Sequence, residues 1–498
     1  MKQHHYAVAL LLLSTGAHAE NYISGKSFFS DLQDYSLFSQ RGYMMAREQA
    51  SQDGYVINRT QFSASVFGSR SYDEDNLRRY FAFNNKNVLH VKESIPTSGI
   101  QEIGQDLLFA DFNVQTDNGA QESYIFFNPK QTRAGIALSW RKAIKDKYWV
   151  TVDAPFVHLE NNLDLVEAFT GTVHTRSSGL RGFELDGTGG AQNPTAFSMF
   201  GAFKQTGLNY GRVDGPRKKD GLADLTVRFG YNSVNRSDLF MSQNIGVIIP
   251  TGNRAKAIYM WEPIVGNGHH AGITGGTTTH FRLKENKKRN TQIWITGAVD
   301  GTYLFENTQK RSLDLKNGPW TRYLAMFENA TKRASNLQTF GINLMTRDVK
   351  VDPGASAQFA TQVSLLAEHW NINLGFISRY RQAETVRLAQ EWELGPEIAD
   401  LAPTLATAGE VNPLRKMGRA LINYTLGAGV DSFITEDDID FDSAAHPSVI
   451  SYTLHGSLAY YHHTAHPQNY ELGFAYDFAN QNTAINRAMV WAKLQLTF

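Results

Sequence analysis

Cysteine is absent from all 498 residues. That excludes disulfides, thiolate metal sites and a cysteine nucleophile, and a chain this long holds a core without cross-links. Net charge is absent too, because 48 Lys and Arg balance 48 Asp and Glu. No global field therefore draws nucleic acid to the surface, and none is expected as a partner. Long apolar runs are also missing. Beyond the first twenty residues nothing reaches about 18 consecutive apolar positions, so no helix is expected to cross a membrane.

Aromatic residues are plentiful, with 30 Phe, 21 Tyr and 8 Trp in a chain of negative mean hydropathy. That combination suits strands whose alternate residues face lipid and whose aromatic rings gather at two interfaces. At the amino end, Lys2 precedes the apolar run Tyr6–Leu13, and Ala17-His18-Ala19 follows it. This reads as a cleaved secretory signal over residues 1–19, with the mature chain beginning near Glu20.

The last ten residues, Met489–Phe498, read MVWAKLQLTF. Val490, Ala492, Leu494, Leu496 and Phe498 share one parity, and Lys493, Gln495 and Thr497 the other. Period two is a strand with one apolar and one wet face. The pattern resembles the terminal strand of bacterial outer-membrane β-barrels, in which a final Phe and alternating apolar residues form the assembly signal. The resemblance implies an exported chain in the outer membrane. Its partners would be outer-membrane lipid and, through Val490, Leu494, Leu496 and Phe498, the barrel-assembly machinery.

Residues 20–58 show no clean alternation and are expected to form a lumen plug, a periplasmic extension or a mobile tail. From Arg59 the two-residue rhythm begins, and the barrel is placed over residues 59–498. Candidate strands run through Phe62–Val66, Tyr80–Lys92, Asp106–Thr116, Glu122–Asn128, Thr132–Ile144 and Tyr148–Leu159. They continue at Leu222–Asn235, Leu239–Ile249, Gly272–Leu283, Gln292–Phe305, Leu337–Thr346, Phe359–Trp370, Asn373–Val386 and Ala420–Val430. The last are Val449–His462, Tyr470–Phe478 and Arg487–Phe498. Turn residues such as Asp117-Asn118-Gly119, Asn128-Pro129 and Arg236-Ser237-Asp238 punctuate them, as in an antiparallel meander. The expected fold is all-β: a transmembrane, up-and-down antiparallel barrel of about 14 strands, with 16 as the alternative, since such barrels hold even numbers. Long loops are expected near 160–220, 306–336, 387–417 and 431–447. Parity puts Ala389–Met417 on the periplasmic side, together with the basic run Lys284, Lys287, Lys288 and Arg289.

Few stretches carry chemistry. Gly266-Asn267-Gly268-His269-His270-Ala271 fits G-x-G-x-x-A, but Pro250-Thr251-Gly252 precedes it and a Thr- and Gly-rich strand follows, where a nucleotide fingerprint requires a helix. The segment reads as a shaped loop in contact with solute through Gly266, Asn267, Gly268, His269 and His270. Adjacent histidines on a strand point to opposite faces, so neither His269-His270 nor His462-His463, with His466 beyond it, chelates as a unit. Glu436–Asp442 is acidic, yet it lacks the spacing of an EF-hand. A looser Ca²⁺ site would use Asp438, Asp440 and Asp442; a solvated loop is the alternative. There is no G-x-S-x-G elbow and no H-E-x-x-H. No catalytic residue, cofactor or enzyme activity is expected.

The stretch Asn244–Leu283 carries a second resemblance. A strand leads into Pro250-Thr251-Gly252, then come Gly266 and Gly268, then Gly275-Gly276 opens the next strand. This looks like the central part of the outer-membrane transporter barrels linked to uptake of aromatic compounds and long-chain fatty acids. It implies a channel or transporter for small molecules, hydrophobic ones included. The alternative is a non-conducting surface-structural or adhesive barrel that works through its extracellular loops.

Overall fold

The computed structural model describes residues 23–31, 60–83, 85–92, 107–108, 112, 114, 122–145, 147–170, 182–183, 198–316, 318–328, 337–392, 397–398, 434–462, 467–479 and 481–498. The expected signal at 1–19, the turn Asp117-Asn118-Gly119, His463, His466, the strand Ala420–Val430 and most of the loop at 387–417 lie outside the described residues.

Twelve strands close into a barrel. They are β1 (Thr60–Ser71), β2 (Lys130–Ile144), β3 (Tyr148–Asn162), β4 (Leu225–Asn235), β5 (Leu239–Ile249) and β6 (Gly272–Asn286). The other six are β7 (Thr291–Leu304), β8 (Gly354–Ala367), β9 (Trp370–Arg381), β10 (Val449–His462), β11 (Gln468–Phe478) and β12 (Arg487–Thr497). Each strand pairs antiparallel with its neighbours in sequence, and β12 pairs with β1 to shut the wall. The seam reaches the last residue. Phe498 N donates to Thr60 O at 2.8 Å and Thr60 N to Phe498 O at 3.0 Å.

Fourteen strands were expected, and sixteen as the alternative; the wall has twelve. The four described candidates that fall outside it belong to the loops. Tyr80–Lys92 contains the end of a helix, Glu74–Phe81, and a short strand, Leu89–Lys92. Among the described residues of Asp106–Thr116 the one strand is Leu107–Leu108, and Leu337–Thr346 breaks into a strand and the helix Gly341–Met345. Glu122–Phe127 pairs with Leu165–Thr170. These segments are apolar because they build a second core, and that alternation mimics a lipid-facing strand. Because β9 pairs directly with β10, Arg381 and Val449, which flank the connection between them, stand side by side at the end that carries the long loops. The basic run Lys287–Arg289 does form a short turn at the other end, between β6 and β7.

All the short connections lie at that one end, and all six long ones lie at the other. Outward positions are apolar: Val490, Leu494, Leu472, Ile245 and Val66 are exposed. Aromatic rings mark both margins of this band. Trp370, Tyr460 and Tyr470 form a row across β9, β10 and β11 near the short turns, while Tyr380, Tyr452 and Tyr476 lie toward the long loops. Inward positions are polar or small. Trp149 of β3 folds over Gly230 of β4, and Trp491 of β12 over Gly473 of β11; a Cβ on either glycine would overlap the indole. The wide rings thus occupy volume that their neighbours vacate.

The wall does not stop at the rim. The register Lys130↔Asn162 of β2 and β3 continues unchanged as Phe127↔Leu165 to Glu122↔Thr170. Likewise Leu304↔Gly354 continues as Asn307↔Val351, and Ser356↔Arg381 as Asp352↔Thr385. All three ladders break at a proline that cannot donate, Pro129 in the first and Pro353 in the other two. Pro155 within β3 acts similarly. The strand Arg217–Leu222 pairs with Phe156–Asn161, then bulges at Ala223-Asp224 before β4 resumes the pairing.

The extended hairpins and long loops enclose a hydrophobic cap. Tyr80, Phe81, Phe83, Phe112, Phe127, Phe203, Trp320 and Tyr323 are buried together in it. Trp320 Nε1 donates to Phe81 O at 2.9 Å, which satisfies its one polar group. Asp314 and Arg322, both sealed in this core, pair with each other, and Asp314 also accepts from Trp320 N and Arg322 N. Among the described residues, no helix is long and apolar enough to cross a membrane.

Candidate functional site: a charged cavity below the cap

Residues 23–31 run from the cap into the barrel. Gly25 N donates to Ala82 O at 2.6 Å, Lys26 N to Tyr80 O at 3.2 Å and Ser27 N to Ser443 O at 3.0 Å. Asp31 then meets Arg487 in two bonds, 2.8 and 2.6 Å, with Arg133 3.8 Å away. Phe28 presents its ring to the guanidinium of Arg311, 3.0 Å from the ring centroid. This is a cation–π contact in a desolvated place.

Beside this segment lies a cavity of about 200 Å³. Its walls are charged. Arg228 of β4 donates to Asp153 of β3 at 2.9 Å. Arg379 of β9 reaches Thr453 Oγ1, with Asp477 3.8 Å away. Arg311 donates to Glu384 at 3.2 Å, to Gln309 Oε1 at 2.7 and 3.1 Å and to Ala444 O at 2.9 Å. Glu384 in turn accepts from His446 N at 2.9 Å. A buried charge needs such partners. Phe28, Ile248 and Leu304 supply the apolar part of the lining.

The loop that sequence singled out borders this cavity. Gly266, Asn267, Gly268 and His270 line it. Asn267 N donates to Asp224 Oδ2 at 2.6 Å and Gly252 N to Asp224 Oδ1 at 3.3 Å. The bulge opposite Pro155 therefore ties the Pro250-Thr251-Gly252 turn to the Gly266–Gly268 turn. Gly266 has φ +81°, and a Cβ there would press on the Asp224 carboxylate, so glycine is required. His270 Nδ1 donates to Phe305 O at 2.8 Å, which leaves Nε2 to accept from Gln309 Nε2 at 2.8 Å. Burial holds its pKa below the usual histidine range. His269 turns away and its Nδ1 meets Gly252 O at 2.8 Å. The histidine pair does not act as one unit.

The acidic stretch sits in the cap. Asp438 Oδ2 accepts from Thr435 N at 2.8 Å and Oγ1 at 2.7 Å, and Asp440 Oδ1 from Ser443 N at 3.3 Å. Asp442 offers its backbone oxygen to Lys26 Nζ at 2.6 Å. Two of these carboxylates cap their own turns. Among the described residues no three acidic or histidine side chains converge as a cation would need. At the other end of the chain, Val490, Leu494 and Phe498 are exposed outward, Phe498 by 60%.

Sequence reasoning missed the charged lining. Arg228, Arg379 and Arg381 stand at inward parity in strands whose outward positions are apolar, and that signal was readable. Arg311 lies in the short strand Asn307–Ser312 above the rim, and Glu384 and Asp31 lie in loops, where no periodicity assigns a direction.

No protein-family model matches this chain, and no curated protein matches it. Several solved barrels overlay it loosely. An outer membrane channel from Pseudomonas putida F1 is 8% identical with a TM-score of 0.39, over 89% of this chain and 97% of that one. The Pseudomonas putida toluene transporter TodX is 6% identical at 0.33, covering 96% and 97%. The transport unit of the autotransporter AIDA-I from Escherichia coli is 7% identical at 0.33, covering 93% and 99%. With overlaps this loose, the barrel stands on its own hydrogen-bond register.

Proposed function

We propose that this chain is an outer-membrane β-barrel channel for small polar or charged solutes, gated by its cap and by the segment 20–58. The carrying observation is the contrast across the wall: apolar and aromatic outside, with ion pairs and a cavity inside. An exposed apolar surface of this extent needs lipid, and a closed barrel is the sheet that lipid tolerates. The exported location follows the signal read at residues 1–19. Hydrophobic solutes fit the lining less well, because they would displace water from charged side chains without replacing its hydrogen bonds. No catalytic constellation is assigned, and the chain is read as a non-enzyme.

Conductance in planar bilayers tests this. The intact protein is expected to conduct weakly or intermittently, and deletion of residues 20–58 to raise the current severalfold. A barrel that never conducts, with or without the segment, overturns the reading. The rival is a non-conducting barrel that works through its loops. The buried core of the cap favours it, since that core gives the outer face a fixed shape. The same experiment separates the two.

The terminal strand is proposed as the contact for the assembly machinery. Phe498→Ala is expected to lower the amount of inserted, heat-modifiable barrel while periplasmic export continues. Normal insertion of that variant would remove the role.

A further inference from the structure

Arg381 differs from the other guanidinium groups around the cavity. Arg228 faces Asp153 and Arg311 faces Glu384. Asp224, the other carboxylate near the turns, is occupied by backbone N–H groups of Gly252 and Asn267. Arg381 is only 7% exposed, and among the described residues no carboxylate lies within ion-pair distance of it. Its acceptors are neutral: Ser30 Oγ at 3.2 Å, Ser30 O at 3.1 Å and His446 Nδ1 at 2.6 Å. Its Nε is buried without any hydrogen-bond partner.

A guanidinium does not lose its proton, so this charge cannot neutralise itself. The carboxylates whose charge reaches it, Glu384 and Asp31, are hydrogen-bonded to Arg311 and Arg487 instead. An anion bonded directly to it has a place to sit, because Arg381 lines the cavity. We propose that the cavity binds a small organic carboxylate, with its charged oxygen on the Arg381 guanidinium and its apolar body against Phe28, Ile248 and Leu304. An apolar cavity of about 150 Å³ holds a benzene ring. The about 200 Å³ here therefore admits one ring or a short chain together with a carboxylate.

This site rests on the same cavity as the channel reading, but binding and conduction are separate measurements. Benzoate is the probe and benzamide its uncharged counterpart, titrated calorimetrically into the intact, detergent-purified barrel at fixed ionic strength. The expected result is saturable benzoate binding, at least tenfold weaker benzamide binding, and at least tenfold loss of benzoate affinity in Arg381→Gln. Arg381→Lys, which keeps the charge, should retain part of the affinity. Should the Arg381 variants fail to give a heat-modifiable barrel, Ile248→Trp fills the space from the opposite wall and must abolish binding. Equal binding of benzoate and benzamide overturns the proposal. So does unchanged affinity in whichever variant folds, or the absence of saturable benzoate binding to the wild type. Benzoate binding in a barrel that never conducts would defeat the channel reading and leave the site intact.

Discussion

The carboxylate of Asp31 and the guanidinium of Arg487 face each other in two near-parallel hydrogen bonds, 2.8 and 2.6 Å long. Both side chains are buried, and they join the amino-terminal segment to the first residue of the last strand. Arg487 Nε also lies 3.1 Å from Asp477, so removing Asp31 does not strand it completely. Asp31→Ala should loosen residues 23–31 by about 3 kcal/mol, the lower end of the cost of breaking a buried pair. If that segment obstructs the lumen, Asp31→Ala and Arg487→Ala each raise single-channel conductance, and the double variant raises it no further. Additive effects would mean that the two residues act separately.

The cap depends on Trp320. Its indole is fully buried among Phe83, Phe127, Phe203 and Tyr323. Trp320→Ala should cost the cap about 3–5 kcal/mol. Limited proteolysis should then cut the outer loops faster, while the barrel keeps its heat-modifiable mobility on gels. Loss of both together would show that cap and wall unfold as one unit.

Inside the wall, Trp149 lies across Gly230. Gly230→Val should destabilise the barrel by about 1–3 kcal/mol, because the ring has no room to retreat. Gly68 is the control, since a Cβ there meets nothing within 4 Å. Gly68→Val should leave the thermal midpoint unchanged. Equal midpoints for the two variants would refute the packing argument.

His446 gives the cap a pH dependence. Its Nδ1 is 2.6 Å from Arg381 Nη2 and 2.8 Å from Pro447 O. The two contacts demand opposite protonation states of Nδ1, and the guanidinium, which only donates, decides for the lone pair. Burial first, then the charge of Arg381, hold the ring's pKa well below the ordinary 6.5. Folded, the ring therefore binds fewer protons than it does unfolded, and stability rises with pH. The stabilisation is complete above about 6.5 and drains away as pH falls from there toward the folded value. Hydrogen exchange in Phe441–Ala444, corrected for intrinsic chemistry, should accelerate between pH 7 and 5. In His446→Gln that acceleration should be reduced, and an unchanged slope would exonerate the histidine.

The wall was legible because a barrel strand repeats one simple contrast. Val490, Leu494 and Phe498 alternate with Lys493, Gln495 and Thr497, and that alternation alone located β12. It misled wherever the same alternation served another purpose. In Glu122–Phe127 the apolar face packs on the cap, and Tyr80–Phe83 is buried at every position. Nothing local distinguishes lipid from a protein core as the destination of an apolar side chain. The turn glycines Gly266 and Gly268 were found through their spacing, whereas Arg311, Glu384 and His446 are assembled from separate loops. Their meeting depends on the register of strands far from them in sequence.

The cap also fixes an order of events. Its core draws Tyr80 and Phe127 from one connection, Phe203 from the next, Trp320 from another and Ile439 from the one between β9 and β10. These pieces are separated by hundreds of residues, and only the shared wall brings their ends together. Closing such contacts in a free chain would cost loop entropy repeatedly. The outer structure must therefore mature last, after β12 has joined β1. A chain arrested before that join would display its loops as unfolded, protease-sensitive strings, so the cap reports on whether the barrel has closed.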